Sequence, residues 1–189
     1  MARAGVTLAR LTEAAGDMAD DIGFENVTVL ALARSFGVKD ASLYSHIKNL
    51  RDLRQRVAVA ALSDLADRVS DALAGRAGKD ALVAFAGAYR DYAREHPGRY
   101  AATQFALDPE AAAASDARRH SLMSRAVLRG YSLTEPDETD AVRLLGSTFH
   151  GYIALEASGG FSHTPRESEL SWARVLDVLH HALETWPSS

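Results

Sequence analysis

Apolar residues recur every three or four positions along nearly the whole chain, the spacing of amphipathic helices with one buried face. Leu8, Leu11, Ala15, Met18 and Ile22 form the first stripe, and Gly23 follows where a helix C-cap belongs. Asn26 to Thr28 offers a fresh cap before a short helix, Val29–Ser35. Phe36-Gly37-Val38 then turns the chain into a third helix, about Lys39–His46. A long fourth helix opens at Asn49 and Leu50 and buries Leu53, Val57, Ala61, Leu65, Val69 and Leu73, before a break at Gly75 to Gly78. The same periodicity predicts helices near Asp80–Glu95, Pro97–Leu107, Pro109–Gly130, Pro136–Ser158 and Pro165–Thr185. Proline opens or precedes most of these, as suits a residue tolerated at a first helical turn. Strand signals are almost absent. The pattern predicts an all-α protein of about nine helices, and the change in helix length near Asn49 separates residues 1–48 from 49–189.

Two short helices joined by a tight turn containing glycine describe a helix-turn-helix, whose second helix can enter the DNA major groove. In that second helix Val38, Leu43 and Ile47 can face a small core. Lys39, Asp40, Ser42, Tyr44, His46 and Lys48 are left to share the outer faces. Lysine, serine and tyrosine are donors to phosphates, and phosphate contacts fix register on a duplex. Lys39, Asp40 and Ala41 fall at the helix start, where base edges are read. An ordinary solvated helix is the competing reading of the same residues.

Composition narrows the class. The chain has 189 residues, 47% hydrophobic and 24% charged, a globular balance. No apolar run approaches the ~18–20 residues that span a bilayer, so no membrane partner is expected. With no cysteine, disulfides and thiolate metal sites are excluded. MARAGVTLAR lacks the apolar centre of a secretory signal, which leaves the cytoplasm as the default compartment. Residues 1–56 carry eight Lys/Arg against seven Asp/Glu, and the remainder thirteen against eighteen. A near-neutral head on an acidic body suits specific DNA binding rather than a non-specific basic binder. Arg3 and Arg10 are candidates for an N-terminal arm.

The stretch GFENVTVLALARSFGVKDASLYSHIKNLRDL, Gly23 to Leu53, closely resembles the DNA-binding domain of the tetracycline-repressor (TetR) family of bacterial regulators. Gly23, Thr28, Gly37-Val38, Leu43-Tyr44 and His46 carry the resemblance. It implies that Thr28, Ser42, Tyr44 and His46 contact the sugar-phosphate backbone and that Lys39, Asp40 and Ala41 face bases. Lys48 would reach a phosphate near the start of the fourth helix. Two positions depart from the family pattern. Leu30 stands where a polar base-contacting residue is common, and Leu50 where a phosphate-binding lysine is common.

The larger half shows no catalytic signature: no nucleophile elbow, no phosphate-cradling glycine loop and no His-Glu-x-x-His. No catalytic residue, metal or cofactor is expected. His180 with Glu184 reads as a solvated i,i+4 pair. His150 lies in the apolar stretch STFHGYIALEASGGF beside Phe149 and Gly151, either as a buried, hydrogen-bonded histidine or as an effector contact. That stretch and HPGRYAAT at His96 to Thr103 look like the TetR C-terminal variant with an aromatic-His-Gly step. This resemblance implies a small-molecule effector pocket and a homodimer built from the last two helices. Candidate pocket residues are Phe85, Tyr89, Gln104, Met123, Phe149 and His150. The resulting expectation is a transcriptional regulator, most directly a repressor released from a palindromic double-stranded DNA operator by an effector. A helical carrier or enzyme with a structural or degenerate helix-turn-helix is the alternative.

Overall fold

The computed structural model describes residues 6–187, and Arg3 lies outside them. Among the described residues the chain is helical throughout, with no strand. These residues form nine α-helices in order: α1 Leu8–Ile22, α2 Val29–Phe36, α3 Leu50–Leu73, α4 Gly78–Glu95, α5 Pro97–Ala102, α6 Pro109–Ala114, α7 Ala117–Leu128, α8 Asp137–Ala157 and α9 Ser168–Glu184. Short 3-10 segments lie at Phe24–Asn26, Asp40–Ser45 and Arg129–Tyr131.

Three expected helices differ, each for a local reason. The segment expected as a helix at Lys39–His46 is a 3-10 turn, Asp40–Ser45. Its hydrogen bonds reach back three residues, Ser42 N–H to Lys39 O and His46 N–H to Leu43 O, both 2.9 Å. Ser45 Oγ donates to Ser42 O, and Asp40 Oδ1 accepts the Ala41 N–H. Such polar side chains compete for the main chain and weaken a regular helix. Pro97–Leu107 stops at Ala102, and Phe105 and Leu107 then pack against the core. Pro109–Gly130 breaks at Ser115, whose extended backbone ends α6 and whose hydroxyl accepts the Ala117 N–H as α7 begins.

The chain forms two compact units. The first joins the described residues up to Asp64 with Glu95–Ala117. Leu11, Leu32, Leu43, Leu53 and Val57 lie at its centre, each at most 2% exposed. α1 and α5 meet closely because Gly98 has no side chain: a Cβ there would sit 2.0 Å from the Ala19 carbonyl carbon. Polar bonds hold the same contact. Asp20 accepts the Arg99 N–H at 2.8 Å, the Arg99 guanidinium and His96 Nδ1, while Asp17 accepts a second guanidinium nitrogen at 2.6 Å. HPGRY is thus a clasp: proline starts the helix, glycine permits approach, and His96 and Arg99 grip α1.

The second unit comprises Leu65–Arg94 and the described residues from Arg118 onward. Leu82, Phe85, Leu128, Leu145, Leu176 and Leu183 are among its buried residues. Among its described residues the buried cation is Arg90, 2% exposed. Arg90 donates to Glu156 through two nitrogens, at 2.9 and 2.7 Å, and to Glu169 at 2.8 Å. Its guanidinium also lies over Trp172, 5.1 Å from the ring centre, and over Tyr152 at 5.7 Å. A buried guanidinium needs this many partners, because desolvation is offset only when its donors are used.

Candidate functional site

The helix-turn-helix is built by caps at every joint. Thr28 ends an extended segment and its Oγ1 accepts the Ala31 N–H at 3.1 Å, which leaves the hydroxyl proton for another acceptor. Gly37 closes α2 in the left-handed conformation (φ 65°), and the Val38 N–H reaches back to Ala33 O at 3.0 Å. A Schellman-type stop of this kind favours glycine, whose missing Cβ removes the steric cost of positive φ.

Leu43, fully buried, and Ile47, 2% exposed, then pin the 3-10 turn into the first unit's core. Burial of such side chains contributes roughly 1.5–3 kcal/mol each. Their neighbours are forced outward. Lys39, Asp40, Ala41, Ser42, Tyr44 and Lys48 are exposed, and His46 is half-buried. Thr28 is exposed as well. The phenol of Tyr44 is unusually open for an aromatic ring, at 52%.

The start of α3 fixes Lys48. Asn49 Oδ1 accepts the Asp52 N–H, and Asp52 Oδ2 accepts the Lys48 N–H, both at 2.9 Å. Asn49 thus caps α3 in the usual way, while the Asp52 carboxylate reaches one residue further back, to the Lys48 N–H, in a variant of the capping box. Arg56 Nε donates to the other Asp52 oxygen at 3.0 Å. Of the two departures from the family pattern, Leu50 is half-buried and packs on the core, so its role is structural. Leu30 is 51% exposed on α2.

The expected effector residues separate. Phe85 and Phe149 are buried with ring centres 6.1 Å apart, and Tyr89 stands 5.0 Å from Phe85. Met123 is half-buried on α7 in the same unit. Gln104 belongs to the first unit, exposed, with its amide on Thr103 Oγ1 at 2.9 Å. His150 is exposed, contrary to the buried reading. Leu145, Phe149 and Ile153 occupy the inward face of α8 at i,i+4 spacing, and a helix turns ~100° between neighbours, which carries His150 outward. Nothing lies within 4 Å of where a Gly151 Cβ would stand, so Gly151 serves no close approach inside the chain.

Sequence reasoning missed two groups. His120 Nδ1 is 2.6 Å from the Tyr89 hydroxyl, which makes it the polar neighbour of the aromatic cluster. Arg90 holds the cluster's other side, and its hydrogen bonds pull Glu156 down to about pKa 2 against the desolvation that raises it. An arginine at a helix position flanked by Tyr89 and Tyr92 was the available signal. Neither residue advertises its partner, which lies 31 residues away for Tyr89–His120 and 66 for Arg90–Glu156.

Comparison with known proteins places this geometry. Residues 82–179 match the family model described as the tetracyclin repressor-like C-terminal domain. An uncharacterized HTH-type transcriptional regulator of Mycobacterium tuberculosis, Rv0681, is 38% identical over 153 residues, covering 79% of this chain and 69% of that protein. A second, YobS of Bacillus subtilis, is 30% identical over 186 residues, 98% and 93% of the respective chains. Among solved structures, the TetR family regulator PfmR of Thermus thermophilus shares 24% identity at a TM-score of 0.66, covering 98% of this chain and 99% of its own. A point variant of TetR from Acinetobacter baumannii, in complex with minocycline, has a TM-score of 0.72 at 16% identity, covering 98% of this chain and all of its own.

Proposed function

Because the chain belongs to the tetracycline-repressor (TetR) family of DNA-binding transcriptional regulators, we propose that it is a repressor released from a palindromic operator by a small-molecule effector. The observation that carries this is the Asp40–Ser45 turn and its flanks. Two buried aliphatic anchors support an outer surface of lysine, serine, tyrosine and backbone. Thr28, Ser42, Tyr44, His46 and Lys48 are assigned to phosphates, and Lys39, Asp40 and Ala41 to base edges. Asp40 would accept from a cytosine amino group. Leu30 offers apolar contact to a thymine methyl, in place of the usual polar reader.

DNA reading is assigned to residues 1–48, and effector binding and dimerisation to 49–189. Exposed apolar residues on the last two helices favour a homodimer: Leu155 at 53%, Leu170 at 54% and Val178 at 56%. A two-fold pair is the commonest way to cover such a face. It would hold two reading turns ~34–36 Å apart, or a multiple, for successive major grooves. The effector is assigned to the aromatic region of the second unit around Phe85, Tyr89, Met123 and Phe149, with His120 as its polar contact. Differential effector affinity of ~1–3 kcal/mol between two states changes operator affinity about 5–150-fold. No helix among the described residues is long and apolar enough to cross a membrane. The protein is assigned to the cytoplasm, where its DNA is, and is given no catalytic role.

Electrophoretic shift with DNA adjoining the protein's own gene tests the reading. A retarded complex is expected, and Lys48→Ala should weaken binding to every sequence alike while flattening the salt dependence by about one unit of slope. A full slope in that variant removes Lys48 from the interface, and no complex at all overturns the assignment.

A further inference from the structure

A groove of about 1110 Å³ opens within the first unit, lined by α1, the first part of α3 and α6, with Arg99 of α5. Small-molecule sites run from roughly 300 to 1,000 Å³, so the space is ample for one. It exists because the lining positions are small: Ala9 and Gly16 on α1, Ala60 and Ser63 on α3, Ala111 and Ala114 on α6. None of the effector residues assigned above lines it.

The charges in the groove are unevenly compensated. Arg99 is bound by Asp17 and Asp20, and Arg56 by Asp52. Arg51 lies over the Phe105 ring and donates to Ala106 O. The Asp108 carboxylate caps α6 through the Ala111 N–H. Glu13, Asp64 and Glu110, by contrast, are exposed carboxylates on three different helices and have no ion pair among the described residues. Lys48, whose ammonium has no ion pair among the described residues either, lies next to the start of α3, where it is assigned to DNA phosphate.

We propose that this groove binds an amphiphilic monovalent cation, its apolar body against Leu8, Val59, Ala60 and Ala111 and its charge toward Glu13, Asp64 and Glu110. The apolar lining supplies burial, and the carboxylates discriminate by sign. The site bears on DNA through Asp52, a wall residue that holds both Arg56 Nε and the Lys48 N–H. An occupant that shifts Arg56 shifts Asp52, and with it the main chain of Lys48. Occupancy therefore weakens operator binding. This last step rests on the DNA-reading assignment; cation binding does not.

Tetraphenylphosphonium and tetraphenylborate, nearly equal in shape and opposite in charge, are suitable probes for calorimetry with the full chain and no DNA. Saturable phosphonium binding is expected, with borate at least tenfold weaker. Glu13→Gln with Asp64→Asn should weaken the phosphonium on the order of tenfold. Ala60→Trp, which fills the groove and keeps every carboxylate, should abolish its binding while circular dichroism and the melting temperature confirm the fold. Equal binding of the two ions overturns the charge assignment. Phosphonium binding that survives Ala60→Trp places the cation elsewhere and overturns the site. With binding established, operator titration reads the coupling: unchanged operator affinity at saturating phosphonium removes the link to DNA, whereas no operator binding even without the cation is a failure of the repressor reading instead.

Discussion

The turn proposed to read DNA in the first unit and the aromatic cluster proposed to hold an effector in the second fix their side chains in opposite ways. In the turn, two buried side chains within five residues, Leu43 and Ile47, suffice to push their neighbours into solvent. In the cluster, α4, α7, α8 and α9 each contribute one or two residues, and the groups are held by contacts with one another. A surface made for a large polyanion needs exposure and a firm anchor. A site for a small molecule needs enclosure, hence partners from distant parts of the chain. The first is local and the second is not, so damage to the second should spread further.

The sharpest test of that contrast is Arg90→Ala. It leaves Glu156 without its main partner and opens a space against the Tyr152 and Trp172 rings, over which the guanidinium lies. Breaking a buried ion pair from one side costs roughly 3–5 kcal/mol. Thermal melts should show this loss in the second unit, and tryptophan fluorescence should report it, since Trp172 lies against the guanidinium. A melt unchanged from the parent would mean the network is ornamental.

Acid probes the same pair without mutation. Glu156 is held at about 2 against an ordinary 4.5, so its folded form binds the proton less readily than the unfolded one. Stability from this group is full above the unfolded value and is lost as pH falls from about 5 through 2. The shift corresponds to at most about 3 kcal/mol. Denaturant melts at pH 6 and pH 3 should differ more in the parent than in Glu156→Gln.

Gly98→Ala tests the clasp in the first unit. The new methyl would collide with the Ala19 carbonyl, and overpacking of this kind costs typically 1–3 kcal/mol. Hydrogen exchange should loosen at the α1–α5 contact, and the second unit's Trp172 signal should stay as it was. Smallest is Thr28→Ala, about 1 kcal/mol for a lost helix cap. Thr28→Ser keeps the cap oxygen and the hydroxyl proton, so it should restore both stability and operator binding. Thr28→Asp keeps only the cap and brings a negative charge to the phosphates. It should restore stability without binding.

Most of the helical frame follows from the sequence alone, because each stripe is a local periodicity. α1 starts at Leu8 and α3 ends at Leu73 as the spacing predicts, and Gly37 marks its turn since only glycine takes that conformation cheaply. The exposure of the residues proposed to read DNA was legible for the same reason: Leu43 and Ile47 are the inward positions of a short segment, and the rest have nowhere to go but out. Tertiary structure decided whatever depends on which face meets which. It turned His150 outward, because Phe149 already occupies the inward side of α8. It ended α5 at Ala102, where burying Phe105 and Leu107 outweighs further helical turns. It brought Arg90 to Glu156 and Tyr89 to His120, pairings that no spacing encodes. Periodicity reports that a side chain is buried. Only packing reports against what, since the partner is chosen by the free energy of the whole folded unit rather than by neighbours in the chain.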